Sequence, residues 1–210
     1  MELSNVKNRS GYLGGTDATL VARIGGGCQV QLSHILRLAV AYERLPSTYL
    51  NEIPQTEAMQ WGHDFEDYFF EEAAADLVPR IERQHILRRD MDGLPALIAH
   101  ADGHDPTRSL VLELKFSRYA TTDILNRYRW QLQWYYFLGA EKVRLVHGSG
   151  TLPHDVRIAL RHVDKDPAAQ EQLLAGLERI KELLPRIREV ADRIEIKEFE
   201  EEEAYESQGN

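Results

Sequence analysis

Hydrophobic positions along this chain follow two different periods, and the switches between them outline its elements. Trp61, Phe65 and Phe69 recur at i, i+4 and i+8, the spacing of one buried helix face, within a helix expected over about 56–75. From 110 to 116 the period is that of a strand. Leu110, Leu112, Leu114 and Phe116 face one way, and Val111, Glu113 and Lys115 face the other. Apolar-rich runs predict further strands at about 83–89, 96–101, 142–147 and 155–160. Helices are expected near 17–24, between loops rich in Gly, and from an N-cap at Ser33 to about Arg44, before Pro46. Two more are expected over 121–138 and from Asp166 onward, with Pro185 kinking or breaking the last. Helices, three strands, a helix, two strands and a helix imply an α/β or α+β core, a mixed central sheet flanked by helices.

Length and composition narrow the class without naming a chemistry. The 210 residues suit one domain, taken to run to residue 194. With 43% hydrophobic and 28% charged residues the chain reads as soluble and globular. No apolar run approaches the roughly 18 residues that a membrane span needs, and the first residues lack the basic-then-apolar layout of a secretory signal. The single Cys28 can form no internal disulfide and excludes a Cys-rich zinc or iron–sulfur site, so a reducing, cytoplasmic setting is expected. The net charge of −9 speaks against a protein that coats DNA along its whole surface. The distribution of that charge weakens the objection: Glu195 to Glu206 holds seven acidic residues against one Lys, within an acidic tail at 195–210 expected to be flexible. Phosphate binding needs a local basic groove, and a basic total is not required.

The residues that carry chemistry centre on the 110–116 strand. Glu113 and Lys115, at i and i+2, project into one space. Asp102 closes the preceding strand, so a hairpin through Gly103, Pro106 and Ser109 can bring it beside Glu113. Two carboxylates and the Leu114 carbonyl form a hard oxygen cage of the kind Mg²⁺ or Mn²⁺ prefers, with a Lys beside it to orient or deprotonate water. An ordinary hairpin with a solvent-facing Glu/Lys pair fits the same spacing, and the D-x₁₀-E-x-K pattern is weak alone. Gly62 and Glu66 stand one turn apart on the expected 56–75 helix, with Phe65 as anchor. There Glu66 can supply a third carboxylate, and the small Gly62 can permit close approach of a strand or nucleic acid. Gln131 and Tyr135 are i, i+4 neighbours on the helix after the strand, where an amide can hold the Lys or the attacking water. The surrounding Trp130, Trp134, Tyr136 and Phe137 read mostly as core. His63, His100 and His104 lie near the carboxylates in sequence and are expected to be satisfied or exposed imidazoles ahead of a two-His metal site.

The order G-x₃-E, D, E-x-K, Q-x₃-Y resembles the YqaJ-like viral recombinases, the lambda-exonuclease-like branch of the PD-(D/E)XK nucleases. The similarity runs through Ala58-Met59-Gln60-Trp61-Gly62 into Glu66, then Asp102-Gly103, Leu112-Glu113-Leu114-Lys115 and the Gln131 helix, over about 8–147. The resemblance implies a restriction-endonuclease-like core and catalytic residues Glu66, Asp102, Glu113, Lys115 and Gln131. It implies one or two Mg²⁺ or Mn²⁺ ions on Glu66, Asp102, Glu113 and the Leu114 carbonyl, with no iron–sulfur cluster. It places DNA against Arg9, Thr16, Ser117, Arg118 and Tyr135. The implied activity is 5′-to-3′ digestion of linear duplex DNA in phage-type recombination, by a homo-oligomer, a ring trimer in the type enzyme, with a single-strand annealing partner. Phe116 and Ser117-Arg118 depart from the residues that follow the Lys in that family. Two other readings stay open: a PD-(D/E)XK nuclease with another task (an endonuclease or a RecB-like repair module), and a catalytically silent DNA-binding or assembly module.

Overall fold

The protein is described by a computed structural model, over residues 10–50, 56–74, 81–151, 154–194 and 197. Arg9 and, apart from Lys197, the acidic tail therefore lie outside the described residues. The strands are β1 (Tyr12–Leu13), β2 (Glu82–Arg89), β3 (Ala96–Asp105), β4 (Leu110–Phe116), β5 (Lys142–Thr151) and β6 (Asp155–Val163). The helices are α1 (Ala18–Gly25), α2 (Leu32–Ala41), α3 (Glu57–Tyr68), α4 (Thr121–Arg127), α5 (Arg129–Phe137), α6 (Pro167–Glu182) and α7 over 184–194. The expected α/β architecture with a mixed sheet is present: six strands, with β4 and β5 parallel and β2–β3, β3–β4 and β5–β6 antiparallel.

One strand edge decides where the site lies. β2 pairs with β3 from Leu97 to His104 and takes one of its edges. The other edge is shared: β1 meets it only at Ala96 and Leu97, and β4 only from Gly103 to Asp105. Between these two, no strand among the described residues lies beside β3. Two of its carbonyls meet α5 instead: that of Ile98 accepts the Trp134 indole N–H at 2.9 Å, and that of His100 lies 3.1 Å from the Tyr135 hydroxyl, whose one proton it shares with Glu113. Unpaired backbone is costly when buried, so these two aromatic side chains replace a missing strand.

β4 is covered on both faces, which is why its alternation separates two apolar sets instead of core from solvent. Val111 joins the larger core under α1, α2, α5, α6 and α7. Leu110, Leu112 and Leu114 join Phe65, Phe69 and Val146 in a second core under α3. Burying a side chain such as Leu112 contributes on the order of 1.5–3 kcal/mol. Gly148 of β5 lies against α3, where an added Cβ would stand 2.3 Å from the Phe65 ring. α1 and α6 also cross backbone to backbone: a Cβ at Gly25 would lie 2.0 Å from the Gln172 carbonyl oxygen, and one at Gly176 equally close to that of Val21.

Several boundaries differ from expectation. α2 starts two residues earlier than a Ser33 cap requires, with Gln31 at the N-cap and its backbone amide donating to the His34 ring at 3.2 Å. The expected 56–75 helix is capped by the Thr56 hydroxyl, runs to Tyr68, and then widens into a π turn over Phe69–Ala73. Within it Phe65 and Phe69 are buried while Trp61 is only half-buried. The expected 121–138 helix is two, broken at Tyr128. β3 extends through Gly103 to Asp105, so Gly103 is a strand residue, and the turn before β4 uses Ser109 with φ 48°. The last helix divides at Leu183, two residues before Pro185, as the missing proline N–H demands.

Candidate active site

The site forms where β3 and β4 part. Beyond the Gly103–Leu112 pair the two strands no longer bond, and the Asp102 carboxylate enters the gap, accepting the Leu114 amide at 2.7 Å. Glu113, 1% exposed, points under α5. Its Oε1 accepts from the Gln131 amide at 2.7 Å and from the Lys115 ammonium, and its Oε2 accepts the Tyr135 hydroxyl. Lys115 lies in addition 4.8 Å from the centre of the Tyr128 ring, the residue at which α4 gives way to α5. The break at Tyr128 thus places an aromatic face beside the amine, which a continuous helix pattern does not foretell.

Electrostatics at this junction are unbalanced. The Asp102 carboxyl is pushed up to about 8, first by burial, next by the Glu113 charge and to a smaller extent by Glu66. The Lys115 ammonium and the Leu114 amide offset only part of this. Burial alone would disfavour the Lys115 charge, but Glu113 and Asp102 outweigh it and hold its pKa above the ordinary lysine value. Tyr135 is also held well above the usual tyrosine range, by burial and then by the same two carboxylates. Two acidic side chains, Glu113 and Asp102, act on the one Lys115 ammonium, and Glu66 adds its charge to Asp102. That donor set, hard oxygens in excess negative charge, fits a divalent ion of the Mg²⁺ or Mn²⁺ kind.

Glu66 reaches the junction from α3. Its Oε1 accepts from the Gln84 amide at 3.1 Å, and the Arg83 guanidinium lies 3.8 Å away while pairing with Asp67 at 2.7 Å. Gln84 lies at the β2 position facing Asp102, in a left-handed backbone with φ 58°, uncommon for a residue with a side chain. Gly62 shows no close approach: a Cβ there would meet nothing within 4 Å.

The remaining candidates divide. Gly15, in the 3₁₀ turn before α1, packs against Gln131 and Trp134, so the exposed Thr16 stands beside the junction. Arg118 projects over the Trp61 ring at 5.3 Å, above a cleft of about 270 Å³ lined by Trp61, Asp64, Phe116, Arg118, Gly150 and Thr151. Tyr135 and Ser117, both expected on DNA, have internal partners instead. Tyr135 is buried on Glu113, and Ser117 Oγ shares a hydrogen bond with His147 Nε2 at 3.0 Å, whose Nδ1 meets Thr121 Oγ at 2.9 Å. Gln131, expected on the Lys or on water, holds the carboxylate. His147 carried no motif, and only its pairing with Lys115 across β4 and β5 reveals it.

No protein-family model matches the chain, and no curated protein matches its sequence. Solved structures do. A phage-related exonuclease from Haemophilus somnus 129PT superposes with a TM-score of 0.58 at 11% identity, over 84% of this chain and 96% of that one. LHK-Exo, an alkaline exonuclease from Laribacter hongkongensis, gives 0.59 at 15% identity, over 91% and 95%. The same protein in complex with dAMP gives 0.60. The fold is that of these exonucleases. The resemblance read from the motifs therefore holds at the level of architecture, and the chemistry follows from the junction itself. No helix among the described residues is long and apolar enough to cross a membrane.

Proposed function

We propose that the chain is a metal-dependent deoxyribonuclease that digests linear duplex DNA from its ends, 5′ to 3′, in phage-type recombination. One observation carries the reading: Asp102 and Glu113 converge on a single Lys115 at a strand junction, with Glu66 reaching toward Asp102 from α3, in a fold shared with exonucleases. Asp102, Glu113, the Leu114 carbonyl and Glu66 would hold Mg²⁺ or Mn²⁺. When bound, such an ion supplies Lewis-acid chemistry, lowering the pKa of water and neutralising phosphate oxygens.

The chain's own groups do the positioning. Gln131 and Tyr135, one turn apart on α5, each hold one oxygen of Glu113 and so fix the carboxylate's orientation. Lys115, kept as an ammonium, donates to the attacking water or to a non-bridging phosphate oxygen and offsets charge in the transition state. Thr16 and Arg9 would receive the 5′-phosphate end. Arg118 and the cleft beside Trp61 would receive the strand beyond the scissile bond, the guanidinium on phosphate and the indole against a base. Assembly as a ring trimer, with a single-strand annealing protein and in the cytoplasm, belongs to the same reading.

The test is digestion of 5′-labelled and 3′-labelled linear duplex with Mg²⁺, beside a closed-circular control. Early release of the 5′ label, an intact circle and full loss of hydrolysis in EDTA are expected. Lys115→Ala should abolish digestion while duplex binding persists, and sedimentation should report the trimer. Cutting of the circle would convert the assignment to an endonuclease. No hydrolysis of any DNA with Mg²⁺ or Mn²⁺ would leave a binding module.

A further inference from the structure

We infer that the chain carries a second ion site, separate from the Asp102–Glu113 junction, in which Glu82, His85 and His104 bind Zn²⁺. One ligand atom from each of the three lies within 4.8 Å of the others. Glu82 and His104 are direct partners across β2 and β3, on one face of the hairpin. Strict alternation would send His85, three residues on, to the opposite face. The left-handed backbone at Gln84 breaks that alternation and brings the His85 ring beside that of His104, with centroids 3.9 Å apart and planes 16° from parallel; because imidazole lone pairs lie in the ring plane, the half-buried His85 turns out of this stack to meet an ion held by His104.

The environment of His104 gives this cluster a need for a ligand. Its Nδ1 is buried and has no hydrogen-bond partner among the described residues, and the Glu82 Oε2 nearby is at 3.9 Å, too far to serve. A buried ring nitrogen left without a partner loses its hydration for nothing, which native structures rarely tolerate. Arg83 does not compete for Glu82, because it is engaged with Asp67 at 2.7 Å. The Glu82 side chain is 63% exposed, so it can swing to close the set around an ion.

Two imidazoles and one carboxylate are the donors that Zn²⁺ takes, with a fourth position left to water, whereas Mg²⁺ prefers an all-oxygen shell. The two sites therefore select different ions by chemistry: oxygen-only donors at the junction, nitrogen-rich donors on the hairpin. An ion on the hairpin would tie β2 to β3 two residues from Asp102 and hold the strained Gln84, which itself touches Glu66. The inference does not depend on the nuclease assignment.

The experiment uses the full chain carrying Asp102→Asn and Glu113→Gln, which removes the carboxylate junction as a competing site. Titrated with Co²⁺, this protein should develop the visible absorption of a nitrogen-ligated ion, at one equivalent, bleached by Zn²⁺ and unaffected by Mg²⁺. Zn²⁺ should also raise its melting temperature. Adding His85→Ala with His104→Ala should abolish both responses, and Glu82→Gln with both imidazoles kept should weaken them. Circular dichroism of each metal-free variant establishes that it is folded. Equal Zn²⁺ binding with and without the two imidazoles, or no Co²⁺ absorption in the parent, would overturn the site, whatever the wild-type chain does to DNA.

Discussion

Two buried ionic clusters in this molecule are built on opposite terms. Asp17, 5% exposed, accepts from Arg37 Nε at 2.7 Å, from Arg37 Nη2 at 2.5 Å and from the Gly14 amide at 2.8 Å. Arg37 also donates to the Tyr12 carbonyl at 3.2 Å, so one bidentate pair ties α2 to β1 and to the turn before α1. One acid meets one base. At the β3–β4 junction Glu113 is as well hydrogen-bonded as Asp17, yet Asp102 adds a second buried acid beside the one Lys115, while Glu66 has Arg83 3.8 Å away. Hydrogen bonding therefore does not distinguish scaffold from site here. Charge balance does: the first cluster sets one acid against one base, and the second sets Glu113 and Asp102, the latter pushed up to about 8, against one ammonium.

The comparison can be broken most sharply at Arg37. Arg37→Ala strands a buried carboxylate and should cost about 3–5 kcal/mol of stability in urea unfolding, the usual penalty for one missing partner. A loss under about 1 kcal/mol, the scale of a surface pair, would put Asp17 and Arg37 on a par with exposed ions. Next comes Glu113→Gln, for which hydrolysis should fall about 10²–10³-fold, the scale of a lost transition-state electrostatic partner. Melting in EDTA should meanwhile fall less than in Arg37→Ala, because Asp102 remains beside Lys115 and the repulsion between the two carboxylates is relieved. A variant that unfolds would show Glu113 to be scaffold after all. Tyr135→Phe sharpens the contrast within the site: kcat should drop roughly tenfold, about 1.5 kcal/mol for a hydrogen bond to a charged group, with KM for DNA unchanged. An altered KM with constant kcat would make Tyr135 a binding residue.

The smallest effect concerns pH. Burial holds His147 below its ordinary value of 6.5, so the folded chain takes up its proton later than the unfolded chain as pH falls. Its contribution to stability is thus present above about pH 6.5 and lost on acidification through the lower folded value. His147→Asn should flatten the melting temperature over that acid range. The same acid slope in both proteins would assign it to the carboxylates instead.

Much of the scaffold was legible from periodicity. All five predicted strands are present, and β4 begins and ends where its alternation does. Phe65 and Phe69 anchor α3 as their spacing foretold, and the ordered motifs located Asp102, Glu113, Lys115, Gln131 and Tyr135 at one junction. Roles were less legible than places. Tyr135 and Gln131 both turned inward to one carboxylate, since helix spacing says which residues share a face and nothing about what that face meets. Tyr128 under Lys115 depended on a helix break that no Gly or Pro announces. His147 is far along the chain from Ser117 and Thr121, and the three became one hydrogen-bonded group only through the parallel β4–β5 pairing.

From the order of its residues alone, this protein is an α/β chain with an Asp, a Glu and a Lys placed to converge, because side-chain direction in strands and helices obeys short, local periods. Tertiary structure decided the rest: that β1 and β4 leave the middle of one β3 edge open, that α5 fills it with Trp134 and Tyr135, and that Gln84 twists to bring His85 onto His104. These are matters of which backbone groups lack a partner after folding. Local sequence cannot specify them, since each partner comes from an element elsewhere in the chain.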